Sequence, residues 1–328
     1  MITDNLYEKI LIEPCRDNNA KKLYIVSGYA SPAMVFRHLN ETCDIEVNLL
    51  LGMAKSGGLS REKHYTFQNM VREDFPGRFK CSYVNTTQTH SKTYGWFDDS
   101  NSGVAGFVGS ANYSQQAFSR RQKEAMSVDD PNMIYDYYND LLETSVNCLD
   151  GNIDEIFTLN NERYNQNYTT RSNSQVILNA PQNMNTESLR EGIDYIQLTL
   201  LATTGPSSGN VPDKSGLNWG QREGREPNQA YIAIPSSIQN SGFFPDIREP
   251  FIIYTDDGKY LDCVRAQANG KGLHTYRNNS ILGKYFRERL GVSLGVKVYL
   301  RDLERYGRTS ITIYKIDDEN YYMDFSSI

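Results

Sequence analysis

Between Asn160 and Asn185 the chain holds eight Asn and three Gln in 26 positions, and Asn167 to Ser174 is almost wholly polar. A stretch this poor in apolar side chains adds little to a core, so the 328 residues divide into two pieces that must each bury one of their own. Residues 166–190 read as a linker or a surface excursion, with Val176-Ile177-Leu178 as a strand-like run inside it. The flanking pieces, 1–165 and 191–328, each have the length of an ordinary domain.

In the first piece, short apolar runs alternate with helical spacing. Leu23 to Ser27 ends in Gly28, Met34 to Leu39 follows at helical spacing, and Glu46 to Leu51 ends in Gly52. A helix is expected over 61–73, then strands at 79–84, 93–97, 104–109 and 125–128, and a closing helix over 131–147. This order predicts an α/β domain, a sheet flanked by helices. In the second piece, strands are expected at 193–201, 230–234, 251–254, 296–300 and 309–316. Asp257-Gly258 and Asn269-Gly270 supply turns, and one helix is expected over 280–289. That piece is predicted to be mostly β and barrel-like. There is no internal repeat.

Composition narrows the setting. No run approaches 18 consecutive apolar residues, and the start Met1-Ile2-Thr3-Asp4-Asn5 has no basic segment leading into an apolar one. Five scattered cysteines without CxxC spacing fit a reducing cytoplasm and argue against structural zinc. The expected location is therefore cytoplasmic, with no membrane partner. A net charge of −6 speaks against a nucleic-acid partner, but from Lys259 to Arg308 eleven Lys/Arg face four Asp/Glu, a local charge of +7.

The most informative segment is His90-Ser91-Lys92, followed by Gly109-Ser110-Ala111-Asn112 and then Glu124. His90 and Lys92 are two apart, which puts both on one face of an extended segment. Ser110 and Asn112 follow an apolar strand, at a turn where backbone N–H groups can face an anion. Together the five offer a nucleophilic imidazole, a cation, hydroxyl and amide donors, and a carboxylate. Phosphoryl transfer needs that set. His38 and His64 lack such companions and read as exposed helix residues.

These residues resemble the phospholipase D superfamily motif, HxK followed by a Gly-Ser…Asn element and a downstream acid. The superfamily often has an Asp after four residues that follow the Lys, a position where this chain has Phe97, with Asp98 one place later. Asp98 is not assigned to the site. The resemblance implies one active site built from two HxK motifs; this chain has one, so it implies a homodimer with a site on its two-fold axis. One His90 would attack phosphorus to give a phosphohistidine, and the other would protonate the leaving oxygen and later activate water. Lys92, Ser110 and Asn112 would hold phosphate oxygens and Glu124 the His90 ring. No metal or other cofactor is required for cleavage.

The second piece carries two polar loops. Asn218, Trp219, Gln221, Arg222, Arg225, Asn228 and Gln229 lie in the first; Arg265, Gln267, Lys271, His274, Arg277 and Asn279 lie in the second, with Lys284 beyond. Forked Arg and amide side chains suit base edges, and lysines suit phosphates. With the first piece, the stretches Asn218 to Ile234 and Asn279-Ser280-Ile281-Leu282-Gly283 make the chain similar to the NgoFVII-type restriction endonuclease family. That resemblance implies a phospholipase D-like nuclease joined to a pseudobarrel akin to plant DNA-binding transcription factors. It implies metal-independent, type II-like site-specific cleavage of double-stranded DNA, and admits a separate helicase-like ATPase subunit as partner. Two rivals are a phospholipase D-like phosphodiesterase acting on lipid or nonspecifically on nucleic acid, and a non-catalytic DNA-binding regulator. The first lacks a membrane helix and leaves the second piece idle; the second leaves the complete His90 set unexplained.

Overall fold

The computed structural model describes residues 1–42, 44–56, 59–119, 122–159 and 194–327. The chain forms two compact units, Met1–Glu162 and Arg163–Ile328. The expected linker at 166–190, with its strand at 176–178, lies outside the described residues.

The first unit is a seven-stranded sheet flanked by helices, as its sequence predicts. In chain order its strands are β1 (Lys22–Ser27), β2 (Glu46–Leu51), β3 (Phe79–Val84), β4 (Lys92–Phe97), β5 (Gly103–Gly109), β6 (Met126–Val128) and β7 (Ser145–Asn147). They lie in the order β6-β5-β4-β1-β2-β3-β7. β1, β2 and β3 run parallel, each joined to the next by a helical crossover, while β4, β5 and β6 zigzag antiparallel beyond β1. The crossover helix Pro32–Glu41 starts where Ser31 accepts a hydrogen bond from Met34 N, with Pro32 in its first turn.

Three expectations for this unit change. The closing helix stops at Leu142, because Ser145–Asn147 pairs with β3 as an edge strand. A helical stretch over Tyr7–Asp17, which the sequence reading passed over, covers the sheet and takes Trp96 Nε1 on Ile10 O at 2.8 Å. His38 and His64 are buried rather than exposed. His38 bridges Tyr113 Oη and Leu11 O, His64 meets Tyr83 Oη, and burial lowers the pKa of each to about 4.

The second unit is a nearly closed β barrel. Its strands are β8 (Tyr195–Thr199), β9 (Ile232–Ala233), β10 (Phe251–Thr255), β11 (Tyr260–Ala266), β12 (Gly272–Thr275), β13 (Ser310–Lys315) and β14 (Asn320–Asp324), in the order β8-β13-β14-β10-β11-β12-β9. The outer strands β8 and β9 come together and nearly complete the ring. Leu198, Phe251, Ile253, Leu273, Ile311, Ile313 and Tyr321 fill the interior, capped by Leu282 and Phe286 of the helix Asn279–Leu290.

The expected strand at 296–300 is absent. Val298 does pair in strand fashion, but its partner is a side chain: Asn218 Oδ1 accepts from Val298 N and Asn218 Nδ2 donates to Val298 O, both at 2.8 Å. A further helix, Leu300–Tyr306, starts where the last residue of that strand would stand. Among the described residues no helix is long and apolar enough to cross a membrane.

Candidate functional site

Register gathers the catalytic candidates at one edge of the first sheet. Ser27, the last residue of β1, pairs with Lys92, the first of β4. β4 is antiparallel to β5, so the exit of β5 at Gly109 lies beside the entry of β4, and Gly109 pairs with Met126 at the entry of β6. His90, Lys92, Ser110, Asn112 and Glu124 therefore share the edge where the parallel strands end, the customary place for ligands in open α/β sheets. Asp98 stands at the other end of β4, about 20 Å from Lys92 along the strand. There it accepts from Ser100 Oγ and Ser102 N and closes the β4–β5 turn.

The His90 segment is wedged between two glycines. A Cβ on Gly28 would stand 2.7 Å from His90 Cδ2 and 3.3 Å from Lys92 Nζ. One on Gly52 would stand 1.9 Å from Thr89 O, whose own N–H donates to Gly52 O. Lys92 is buried, its ammonium donating to His90 O, and burial lowers its pKa against the opposing charge of Glu124. The His90 ring is exposed and meets the Tyr29 ring edge-on at 5.7 Å between centroids.

Asn112 is locked to the end of β1. Its Oδ1 accepts from Tyr29 N at 3.1 Å, while buried Ser27 accepts from Tyr113 N and donates to Tyr29 O. The Asn112 amide nitrogen thus remains as a donor for a ligand. The Glu124 carboxylate accepts from Ser110 Oγ. This departs from the expected pairing of Glu124 with the His90 ring: among the described residues its hydrogen-bond partner is Ser110. The physical reason lies in register, since Ser110 N donates to Ala125 O and Ala125 N to Ser110 Oγ, which seats Ser110 directly against the entry of β6. The sequence reading missed Ser27, Gly28, Tyr29 and Gly52. Their signal was present in the strands that end Ser-Gly and Leu-Gly.

The polar loops of the second unit divide into two groups. Asn218, Asn228, Arg265 and His274 are buried, which contradicts the expectation that they contact DNA. Asn218 pairs with Val298, Asn228 Oδ1 accepts from Gly295 N, and Arg265 donates to Gln239 O. His274 sits between Gln267 Nε2 and Asn279 Oδ1 and faces Tyr231 and Trp219. Gln221 is half-buried and donates to Pro227 O and Gly295 O. Leaving a buried amide or guanidinium unpaired costs about 1–3 kcal/mol or more, so these hydrogen bonds hold the loops in place, although among the described residues Arg265 Nε is buried without a partner.

Arg222, Arg225, Lys271, Arg277 and Lys284 are exposed, with Trp219, Gln229, Gln267 and Asn279 partly so. The Arg225 guanidinium lies 3.9 Å from the centre of the Trp219 ring and donates to Gln229 Oε1. Trp219 meets His274 edge-on, which brings the two loops together.

The +7 window largely dissolves. Lys259, Arg277, Arg289, Lys297, Arg305 and Arg308 each pair with an acid, and Asp256, Asp213 and Asp324 come from outside the window. Arg265 and Arg287 are buried. Lys271, Lys284 and Arg301 remain as its exposed cations outside those pairs.

Comparison with known proteins matches both units. Residues 4–156 match the model of the NgoFVII restriction endonuclease N-terminal PLD domain, and residues 188–317 that of the NgoFVII C-terminal B3-like DNA-binding domain. Among solved structures, NucT from Helicobacter pylori is similar at 18% identity over 44% of this chain and 91% of that chain, with a TM-score of 0.31. No curated protein matches.

Proposed function

The chain belongs to the NgoFVII restriction endonuclease family, and from that premise we propose that it cuts double-stranded DNA at a specific sequence by nucleophilic displacement at phosphorus. The observation that carries this reading is the convergence of His90, Lys92, Ser110, Asn112 and Glu124 on one sheet edge. A ring nitrogen of His90 attacks phosphorus, forming a P–N bond as the P–O bond to the leaving strand breaks. A second His90, from a partner copy, gives the leaving oxygen its proton and then takes one from water. That water attacks phosphorus and releases the first His90. Lys92 and the Asn112 amide stabilise the non-bridging oxygens, and Glu124 orients the Ser110 hydroxyl beside them.

In this scheme the nucleophile is the imidazole itself, so no metal-bound water is needed and cleavage persists in EDTA. Each chain supplies one HxK, so activity requires a homodimer and falls on dilution to monomer. The second unit selects the sequence. A helicase-like ATPase partner would add translocation and is dispensable for cleavage in this reading.

The direct test is trapping by rapid quench into denaturant at alkaline pH, with end-labelled duplex DNA. Wild type should yield an alkali-stable, acid-labile protein–DNA adduct that His90→Ala lacks. Cleavage with no adduct in wild type, together with full activity in the variant, would remove the phosphohistidine step.

A further inference from the structure

Five hydrogen bonds from four side chains converge on a single short loop, residues 293–299. Asn218 takes both polar groups of Val298, Asn228 accepts from Gly295 N, Gln221 donates to Gly295 O, and Arg287 Nε donates to Val296 O at 2.8 Å. Arg287 is fully buried and also reaches Leu217 O and Pro227 O, so it ties this loop to the one before β9. These contacts include three of the amide groups that the sequence offers as base readers.

What the pinned backbone presents is apolar. Leu294 is 52% exposed, Val296 50% and Tyr299 43%. Single exposed apolar residues are ordinary, but three within six positions on so constrained a backbone are not. Cations border them: Lys297 Nζ stands 5.1 Å and the Arg301 guanidinium 4.9 Å from the centre of the Tyr299 ring. Lys297 also pairs with Asp213, whose neighbour Lys214 accepts from Arg222 through its carbonyl, so this surface continues into the first polar loop.

We propose that the 293–301 segment is a DNA-contacting element of the second unit, with Leu294 and Val296 meeting apolar base edges and Tyr299, Lys297 and Arg301 the sugar-phosphate backbone. The proposal rests on reading this unit as a sequence-specific DNA-binding domain and adds a surface to it. Duplex DNA is favoured because cations flank the apolar tip. Apolar side chains can pack on thymine methyls or wedge into base steps, and cations take the adjoining phosphates. Pinning the backbone in advance lowers the ordering cost of such a contact.

The test uses the full-length protein. Selection from randomised duplexes followed by competition binding first gives the preferred sequence of wild type; absence of any preference would overturn the specific-binding reading itself. With a preference in hand, Leu294→Ser/Val296→Ser should lower affinity for the preferred duplex about tenfold and change scrambled-duplex affinity little. Arg301→Ala should weaken both alike and make the salt dependence shallower. Unchanged preferred-duplex affinity in the double variant, while Arg225→Ala loses it, would overturn this proposal and leave the domain reading standing. Both residues are exposed, so thermal melting should match wild type and separate a contact from a folding effect.

Discussion

The edge holding His90 and the loops around Trp219 are both rich in polar side chains, yet they use them in opposite ways. At the first edge the proposed working group is the exposed imidazole, and what surrounds it is mostly backbone and glycine: Gly28 and Gly52 on either side, with the carbonyl of His90 taken by Lys92. In the second unit several of the most suggestive side chains are the scaffold. Asn218, Asn228 and Arg287 spend hydrogen bonds on carbonyls and amides of neighbouring loops. Strands set a catalytic edge through regular backbone pairing, whereas irregular loops must satisfy their backbone with side chains. A polar residue type therefore says more about chemistry at a strand end than it does inside a loop.

The comparison breaks most readily at His90. His90→Ala should reduce cleavage by about 10³-fold or more while duplex affinity stays within about twofold, measured by digestion and by competition binding. A smaller loss would mean that the working group lies elsewhere. Gly28→Ala should follow at about a hundredfold, because the added methyl displaces the His90 ring without entering the core. Its melting temperature should stay near that of wild type.

In the second unit the expected signs reverse. Asn228→Ala should cost about 1–3 kcal/mol of stability by denaturant unfolding, since Gly295 N loses its partner and Glu226 one of its donors. Arg225→Ala should leave stability within about 0.5 kcal/mol and weaken binding to the preferred duplex. If Asn228→Ala instead spared stability and abolished sequence preference, the division between scaffold and reader would be drawn in the wrong place.

A smaller effect concerns pH. His38 and His64 titrate at about 4 in the folded chain, below the ordinary histidine value near 6.5. Between those values the unfolded chain binds protons that the folded chain does not. Stability is thus fully present above about pH 6.5 and falls as pH drops toward 4. For His38 the full loss amounts to roughly 3 kcal/mol. His38→Gln should flatten that part of the stability profile, read as melting temperature against pH; an unchanged profile would place the acid sensitivity elsewhere.

Much of the first unit was legible because its strands are continuous apolar runs ended by glycine, and because the chemistry fixes residue types. The candidates His90, Lys92, Ser110, Asn112 and Glu124 stood out by type and order, and the fold brings them to one sheet edge; Ser27, Gly28 and Tyr29 beside them did not stand out, since a strand ending in Ser-Gly also serves as an ordinary turn. The partner of Glu124 was misplaced because the β5–β6 register, which seats it on Ser110, is a tertiary fact. In the second unit the barrel was legible in outline, but β11, β12 and β14 were not expected, because polar residues such as Asp262, His274 and Asn320 interrupt their apolar runs. The strand-like pattern at 296–300 misled because Val298 finds its ladder partner in the Asn218 side chain.

The central claim is that one unit cuts where the other unit chooses, and digestion of plasmid DNA followed by sequencing of the ends tests it most directly. Wild type should leave discrete ends at a fixed distance from one recurring sequence, and His90→Ala should leave the plasmid intact. Ends scattered without a recurring sequence would contradict the division of labour, and equal cutting by His90→Ala would contradict the active site.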